Sequence, residues 1–245
     1  MQNACNSLIN SLLLRIRNFS FYNHTQMSRS YTKVCSLVLL AGITLTARTA
    51  GPQGKGSGSP AESSSGQLPP GLYAEITTSM GRIMCHLLPS EAPRTVKNFR
   101  ELATGSKTWT DPRDGKEKHS PFYDGLTFHR VIKNFMIQAG DPLGTGEGGP
   151  GFAIDDEVSP NLHFDKPGVV AMAKTSEPNS AGSQFFITTG ETPWLEGKYS
   201  IFGQVIEGQD VVTKISELST NEDDKPTTTV VIQKIVIREV AAAKN

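Results

Sequence analysis

The stretch FHRVIKNFMIQAGD, from Phe128 to Asp141, is the part of this sequence that decides the fold. Apolar and polar residues alternate through its two halves, Thr127–Ile132 and Phe135–Ala139, and this alternation predicts two strands. Because successive strand residues point to opposite faces, Phe128 and Arg130 are expected on one face of the first strand. An isolated arginine on a strand usually faces solvent, so the role of Arg130 depends on the motifs that follow.

Two further motifs follow in the chain, NSAGSQFFI from Asn179 to Ile187 and WLEGKY from Trp194 to Tyr199. In this order, the three motifs resemble the signature of the cyclophilins, the cyclosporin-binding peptidyl-prolyl cis-trans isomerases. The resemblance extends from about Leu72 to Val240. Three motifs in the family's order are far more specific than any one of them, so the function of the family is the leading hypothesis.

The resemblance implies a mainly β fold, a closed eight-stranded antiparallel β-barrel capped by two α-helices, in a domain that covers residues 71–245. Periodicity predicts the elements but not the closure. Helices are expected from Pro93 to a stop at Gly105 and over Gln209–Leu218. The strands expected besides the first two are Leu72–Thr77, Arg82–Leu88, Gly168–Ala173, Gln184–Thr188, Ile201–Ile206 and Thr229–Glu239, with a hairpin at Ser79-Met80-Gly81.

The reaction of the family sets clear chemical requirements. Rotation about a peptide bond faces a barrier of about 18–20 kcal/mol, because resonance gives the C–N bond partial double-bond character. A catalyst must stabilise the twisted amide, in which the proline nitrogen regains its lone pair, and no bond is broken. The useful groups are a fixed donor near that nitrogen, an apolar slot for the ring and polar anchors for the backbone.

The motifs contain side chains of each required kind. By similarity to the family, Arg130 is the catalytic residue that addresses the proline amide, since it is a permanently charged, forked donor. Gln138 can donate to and accept from the substrate backbone. The remaining residues expected to bind substrate are Phe135, Met136, Phe186 and Leu195 around the proline slot, and Ala173, Gln184, Trp194 and Tyr199 elsewhere in the pocket. His129 is interpreted as a packed residue and not as a general base.

The sequence departs from the common family pattern at four places. Tyr199 stands where many members have His, and its flat, amphipathic ring can still form a pocket wall. Lys133 replaces a frequent Pro, and Ala139 replaces a frequent Gly. The segment Met172–Pro178 is one residue longer than the common form, and Lys174 within it replaces a frequent Asn. That segment is expected to contact the substrate residues before proline.

Other kinds of site have weaker support in the sequence. The run Gly144–Gly149 is rich in glycine, but no helix follows it and no Lys-Ser/Thr pair completes a phosphate-binding loop. Neither His86 nor the other histidines of the domain show metal-ligand spacing with Cys85. We therefore expect no cofactor and no metal, and we interpret Cys85 as a buried strand residue.

Charge is distributed unevenly along the 245 residues, although the formal net charge is zero. The first 61 residues hold six basic residues and no acidic one, so the remainder has 18 basic against 24 acidic residues. A mildly acidic domain argues against binding to nucleic-acid phosphates.

The first 50 residues are expected to form a leader. The apolar run Val34–Leu45 is preceded by basic residues and followed by small ones, which is typical of a secretory signal peptide starting at Met27. Residues 1–26 are then an over-extended start, and residues 51–70 are a flexible Gly/Ser/Pro linker. We expect export to a bacterial periplasm or secretion, with no stable membrane insertion after leader removal. A transit peptide to an organelle lumen and an uncleaved anchor are the alternatives.

The sequence thus predicts an isomerase that assists protein folding. Its partners are expected to be unfolded or extended polypeptides that contain proline, and also cyclosporin. We expect a monomer. The alternative is a non-catalytic module that binds proline peptides on the same barrel.

Overall fold

The computed structural model describes residues 68–242. The predicted leader, residues 1–50, and all of the predicted linker except residues 68–70 lie outside the described residues. Between residues 68 and 242, no helix is long and apolar enough to cross a membrane.

Two α-helices and ten strands make up the described part of the chain. The helices are α1 (Pro93–Thr104) and α2 (Gln209–Ser216), and a 3-10 turn covers Pro193–Leu195. The strands are β1 (Gly71–Thr78), β2 (Gly81–Leu87), β3 (Trp109–Thr110), β4 (Glu117–Lys118), β5 (Arg130–Ile132), β6 (Met136–Ala139), β7 (Val169–Met172), β8 (Phe185–Thr188), β9 (Ile201–Glu207) and β10 (Ile232–Val240).

Eight of the strands form one antiparallel sheet in the order β10-β1-β2-β9-β7-β8-β6-β5. The sheet curls into a half-barrel, so the predicted mainly β fold with two helices is confirmed. The predicted closure into a barrel is not confirmed. The outer strands β5 and β10 are not paired with each other. The chain before β5 contacts the start of β10 through individual backbone hydrogen bonds, such as the one from Ile232 N–H to Leu126 O at 2.7 Å.

The strands next to the sheet edge at β5 are buried on both faces. Val131, Ile137 and Ile187 belong to the main core, which also contains the ring of Phe99 from α1. The alternate residues Met136 and Phe186 belong to a second apolar cluster on the opposite face. Burial on both sides explains why β7 and β8 are continuous apolar runs, VVAM and FFIT, and not alternating ones.

The helices follow their predictions closely. Pro93 lies at the start of α1, and Gly105 ends the helix with a left-handed φ of 74°, which glycine adopts without strain. The second helix ends at Ser216, two residues before the predicted end at Leu218. There the Leu218 N–H donates to Ile215 O, three residues back, so the last turn is tighter than an α-helix.

The shared face predicted for Phe128 and Arg130 is wrong. Phe128 is buried in the main core, whereas Arg130 is exposed. The strand begins only at Arg130, and the Phe128 N–H donates to Val230 O near the other end of the sheet. Strand alternation therefore does not extend back to Phe128.

Candidate active site

Cross-strand pairing aligns the predicted site residues in one row. Arg130 on β5 is opposite Gln138 on β6, Gln138 is opposite Phe186 on β8, and Phe186 is opposite Ala171 on β7. Directly opposite residues have their side chains on the same face of an antiparallel sheet. The row therefore carries a cation, an amide and an aromatic ring side by side across three strands.

This face of the sheet forms the floor of a small cavity of about 140 Å³. Eight of the ten predicted site residues line it: Arg130, Phe135, Met136, Gln138, Ala173, Phe186, Leu195 and Tyr199. Apolar groups of the second cluster form its base, because Met136, Phe186 and Leu195 are all buried. The cavity thus combines an apolar base with a charged guanidinium in its wall.

Aromatic contacts fix the walls of this cavity. The Phe186 ring stacks on Phe164, with centroids 6.1 Å apart, and meets the Tyr199 ring edge-on at 5.5 Å. The expectation that Tyr199 can form a pocket wall therefore agrees with its position. Trp194 does not line the cavity itself. Its ring packs against Phe135, with centroids 5.7 Å apart, and remains 55% exposed at the rim.

A second, wider cavity of about 430 Å³ adjoins the first and shares Gln138, Ala173 and Lys174 with it. Gln184, the remaining predicted site residue, lines this second cavity. Its amide nitrogen donates to the carbonyls of Gly146 and Gly148, and its oxygen accepts from Gln138 Nε2 at 2.8 Å. The two glutamines therefore connect the cavities and hold the glycine-rich run beside them.

Asp141 holds the other end of the glycine-rich run. Its buried carboxylate accepts the backbone N–H groups of Leu143, Thr145 and Gly146. Burial raises the pKa of Asp141, but the combined hydrogen bonds outweigh burial and leave its pKa below the ordinary value. Asp141 and the two glutamines thus fix the run as a wall of the wider cavity.

The guanidinium of Arg130 is paired on one side. Its Nε donates to Asp224 Oδ2 at 3.3 Å, and both side chains are partly exposed, at 45% and 42%. Neither Nη group is hydrogen-bonded to another residue between 68 and 242. Sequence reasoning did not indicate this partner, since Asp224 lies in a polar stretch that is far from all three motifs.

Lys174 belongs to Met172–Pro178, the segment expected to contact the substrate, and only its ion-pair partner became clear from the structure. It lines both cavities, and its Nζ donates to Asp156 Oδ2 at 2.7 Å, which fixes it to the neighbouring loop. Asp156 also accepts the backbone N–H of Asn179, which directly follows the longer segment Met172–Pro178. The departure from the family pattern was the signal that could have identified it.

Two other reactive side chains of the described chain, His129 and Cys85, are buried. His129 is 4% exposed, neither ring nitrogen has a hydrogen-bond partner among residues 68–242, and burial is the main cause that lowers its pKa. Burial raises the pKa of the Cys85 thiol to about 12, so the thiol is inert. Within the same residues, no group of three or more His, Cys, Asp or Glu side chains could hold a metal ion.

Comparison with known proteins agrees with this geometry. Residues 73–237 match the sequence model of the family described as "Cyclophilin type peptidyl-prolyl cis-trans isomerase/CLD". The chain belongs to the cyclophilin family. The match begins within β1 and ends within β10, so it includes all or part of every strand of the large sheet.

The relatives of this cyclophilin carry the name of the same enzyme. It is 48% identical over 169 residues to peptidyl-prolyl cis-trans isomerase B of Streptomyces anulatus, which spans 68% of this chain and 96% of the relative. It is 44% identical over 169 residues to peptidyl-prolyl cis-trans isomerase-like 1 of Mus musculus, covering 68% and 91% of the two chains. The cyclophilin is therefore an isomerase, and a non-catalytic module is not favoured.

A solved structure shows the same fold. The crystal structure of a cyclophilin type isomerase of Cryptosporidium parvum, in the presence of the dipeptide Ala-Pro, is 36% identical and has a TM-score of 0.60. The alignment covers 69% of this cyclophilin and 99% of the other chain.

Proposed function

We propose that this cyclophilin catalyses rotation about X-Pro bonds in extended or unfolded polypeptides, with Arg130 acting on the proline amide. One observation carries the proposal: the Arg130 side chain and the apolar residues Met136, Phe186 and Leu195 line a single cavity of about 140 Å³. An apolar cavity of about 150 Å³ in another protein holds benzene, so this volume suits one small ring. The proline ring would then lie against Phe186, beside the guanidinium.

The mechanism follows from what changes during rotation. As the amide twists, its nitrogen becomes pyramidal and gains a lone pair, which an Arg130 N–H can meet as a hydrogen-bond donor. A donor that is stronger toward the twisted state than toward the planar states lowers the barrier. Lowering it by about 5–7 kcal/mol accelerates rotation by about 10⁴–10⁵-fold. No proton is transferred, so the buried His129 is not needed as a base.

We assign the binding of the substrate backbone to Gln138 and Gln184. Gln138 lies between the two cavities and can both donate and accept, so it suits a peptide group next to the proline. The wider cavity, bounded by Gln184 and Lys174, takes the residues that precede the proline. Its walls combine polar and apolar residues and accommodate varied side chains, which suits a helper of protein folding that acts on many clients.

Three finer features belong to the same proposal. The sheet closes into a barrel, which the hydrogen bonds between the segment before β5 and the start of β10 support. Trp194 binds cyclosporin, because an exposed indole offers an apolar face and one N–H donor to an N-methylated cyclic peptide. The protein acts after export, which the basic, apolar and small residues of segment 27–50 support.

Replacement of Arg130 tests the proposed catalytic role. We expect Arg130→Ala to lose at least about 100-fold in kcat/KM, or about 2.7 kcal/mol of transition-state stabilisation, in a proline-peptide isomerisation assay. Turnover should fall more than affinity, because the contact forms in the transition state. The same assay should show no dependence on added metal or nucleotide.

Arg238→Ala is the matched control, since Arg238 is also a partly exposed, ion-paired arginine but lies on β10, away from the cavity. We expect its kcat/KM to stay within about twofold of wild type, because Arg238 lines neither of the two cavities. A folded Arg130→Ala protein, judged by circular dichroism, with a near-wild-type rate would refute the role of Arg130.

A further inference from the structure

A tight turn packs directly against the strand that carries Arg130. Residues 221–225 close on themselves, because Asn221 Oδ1 accepts the N–H groups of Asp223 and Lys225, and the Asn221 N–H donates to Lys225 O. The turn is fixed to β5 by the Val131 N–H, which donates to Asp224 O at 2.8 Å. The backbone of Asp224 is therefore held one residue away from Arg130.

Asp224 has an uncommon backbone conformation. Its φ is +59°, in the left-handed region that only a few per cent of residues other than glycine adopt, and where Asp and Asn are enriched. In this conformation the carbonyl of Asp224 accepts from β5 while its carboxylate reaches Arg130 Nε at 3.3 Å. One residue thus contacts both the strand and the side chain that the strand presents.

The contact at Nε has a specific geometric consequence. A guanidinium has five N–H donors, of which one is on Nε and four are on the two Nη atoms. A carboxylate at Nε restricts rotation of the planar group and occupies the donor nearest the strand. The four Nη donors remain unengaged by residues 68–242 and are available to the cavity that Arg130 lines.

We infer that Asp224 is a positioning residue for the isomerase reaction, which orients the Arg130 guanidinium so that its Nη groups face the twisted proline amide. The inference rests on the proposed function. A misplacement of about 1 Å at a catalytic group can lower the rate about 100-fold. The orienting effect of Asp224 on turnover can therefore be large, although an exposed ion pair contributes at most about 1 kcal/mol to the free energy of unfolding. Asp224 does not touch the substrate in this account.

A neighbouring ion pair separates this role from an ordinary surface salt bridge. Lys133, which follows β5, pairs with Glu217 Oε1 at 3.7 Å, with side chains 64% and 53% exposed. This pair also joins β5 to the region after α2, but Lys133 does not line the cavity. Its removal therefore reports the effect of losing a similar surface pair without any effect on Arg130.

Two substitutions of Asp224 and one control test the inference. Asp224→Gly removes the carboxylate but tolerates the left-handed φ, so the turn and its bond to Val131 are kept. Asp224→Asn also tolerates that φ and keeps an oxygen acceptor. We expect Asp224→Gly to lower kcat about 5- to 20-fold with KM within about twofold. Asp224→Asn should stay within about threefold of wild type, and Glu217→Gln within about twofold.

NMR of the Arg130 Nε–H group provides a readout that does not depend on activity. In the wild type this proton should exchange slowly and have a shifted resonance, and in Asp224→Gly both properties should move to those of a solvent-exposed arginine. If the wild type is active and Asp224→Gly has the same kcat, the inference is overturned and the proposed function stays intact. The inference would also be overturned if kcat fell equally in Asp224→Gly and Asp224→Asn while the Arg130 Nε–H signal stayed unchanged. A wild type without isomerase activity would instead overturn the proposed function.

Discussion

At the scale of single residues, Trp194 is notable for how little of it is buried. Among residues 68–242, it is the most exposed large apolar side chain, at 55%, although one face of the indole contacts Phe135. An exposed aromatic residue beside a cavity is a typical anchor for a ligand, because it adds a large contact area with little loss of conformational freedom. The cavity of about 140 Å³ does not depend on the indole for its base.

This position makes Trp194→Phe a selective substitution. We expect cyclosporin inhibition to weaken by about 1–3 kcal/mol, since the variant loses indole area and the N–H donor. The isomerase rate should change much less, because Trp194 stands at the rim and not in the slot. Parallel inhibition titrations of both proteins measure the difference, and equal inhibition would remove Trp194 from the cyclosporin site.

The sequence was sufficient to predict which residues meet at the cavity, but not which other residues hold them in place. Motif order was sufficient to bring Arg130, Phe186 and Leu195 together, because their spacing is tied to the strands that carry them. It could not predict Asp224, since that contact depends on the path of a turn more than 90 residues later in the chain, for which there is no periodic signal. The same limit applies to the pairing of Lys174 with Asp156.

At the scale of elements, helix α1 obtains its N-terminal cap from a distant residue. The residue at the cap position, Ala92, has no side chain that could accept a hydrogen bond. Instead, the Glu157 carboxylate accepts the backbone N–H groups of Arg94 and Thr95, at 3.1 and 2.6 Å. Local sequence rules could place the start of the helix at Pro93 but could not identify this cap, because the capping group is supplied by tertiary structure.

The cap makes the stability of α1 depend on pH. Burial raises the pKa of Glu157, but its hydrogen bonds outweigh burial and leave the pKa below the ordinary value of 4.5. The carboxylate therefore stabilises the folded state fully above that value, and this contribution is lost as the pH falls through the lowered, folded-state pKa. We expect Glu157→Gln to reduce the free energy of unfolding by about 1 kcal/mol at pH 7, and by less in acid.

Asp155→Asn is the control for this experiment, because Asp155 also pairs with Arg94 but is 62% exposed and contacts no helix N–H. Its effect on the free energy of unfolding should be below about 0.5 kcal/mol. Denaturant titrations of the three proteins at pH 7 and pH 3.5 provide the comparison. A difference between wild type and Glu157→Gln that is constant over this range would contradict the role of the ionised carboxylate.

At the scale of the whole molecule, the large sheet has two apolar faces with different uses. One face packs against α1 and the main core, whereas the other forms the apolar base of the cavity of about 140 Å³. The sequence could predict most strands because alternation or apolar runs mark them. It could not establish whether the sheet closes, since closure depends on the path of the chain before β5, where the sequence pattern continues but the observed strand does not.

The leader prediction also belongs to this scale. We expect expression from Met27 in a bacterial host to yield an exported protein whose mature N-terminus lies between about Ala47 and Gly51, because a basic, an apolar and a small-residue segment follow one another there. N-terminal sequencing after cell fractionation measures this directly. Leu39→Arg should retain the chain in the cytosol, since it interrupts the apolar run. Recovery of an uncleaved wild-type chain from the cytosol would contradict the prediction.

The pairing of the first strand with the last has a consequence for biosynthesis. Gly71 at the start of β1 is opposite Val240 at the end of β10, so one of the two neighbours of β1 is the last strand to be made. A ribosome that has reached α2 has not yet produced that neighbour, and β1 cannot complete its hydrogen bonds. The sheet is therefore finished only after synthesis of the entire domain, and such long-range pairing is intrinsically slow to form.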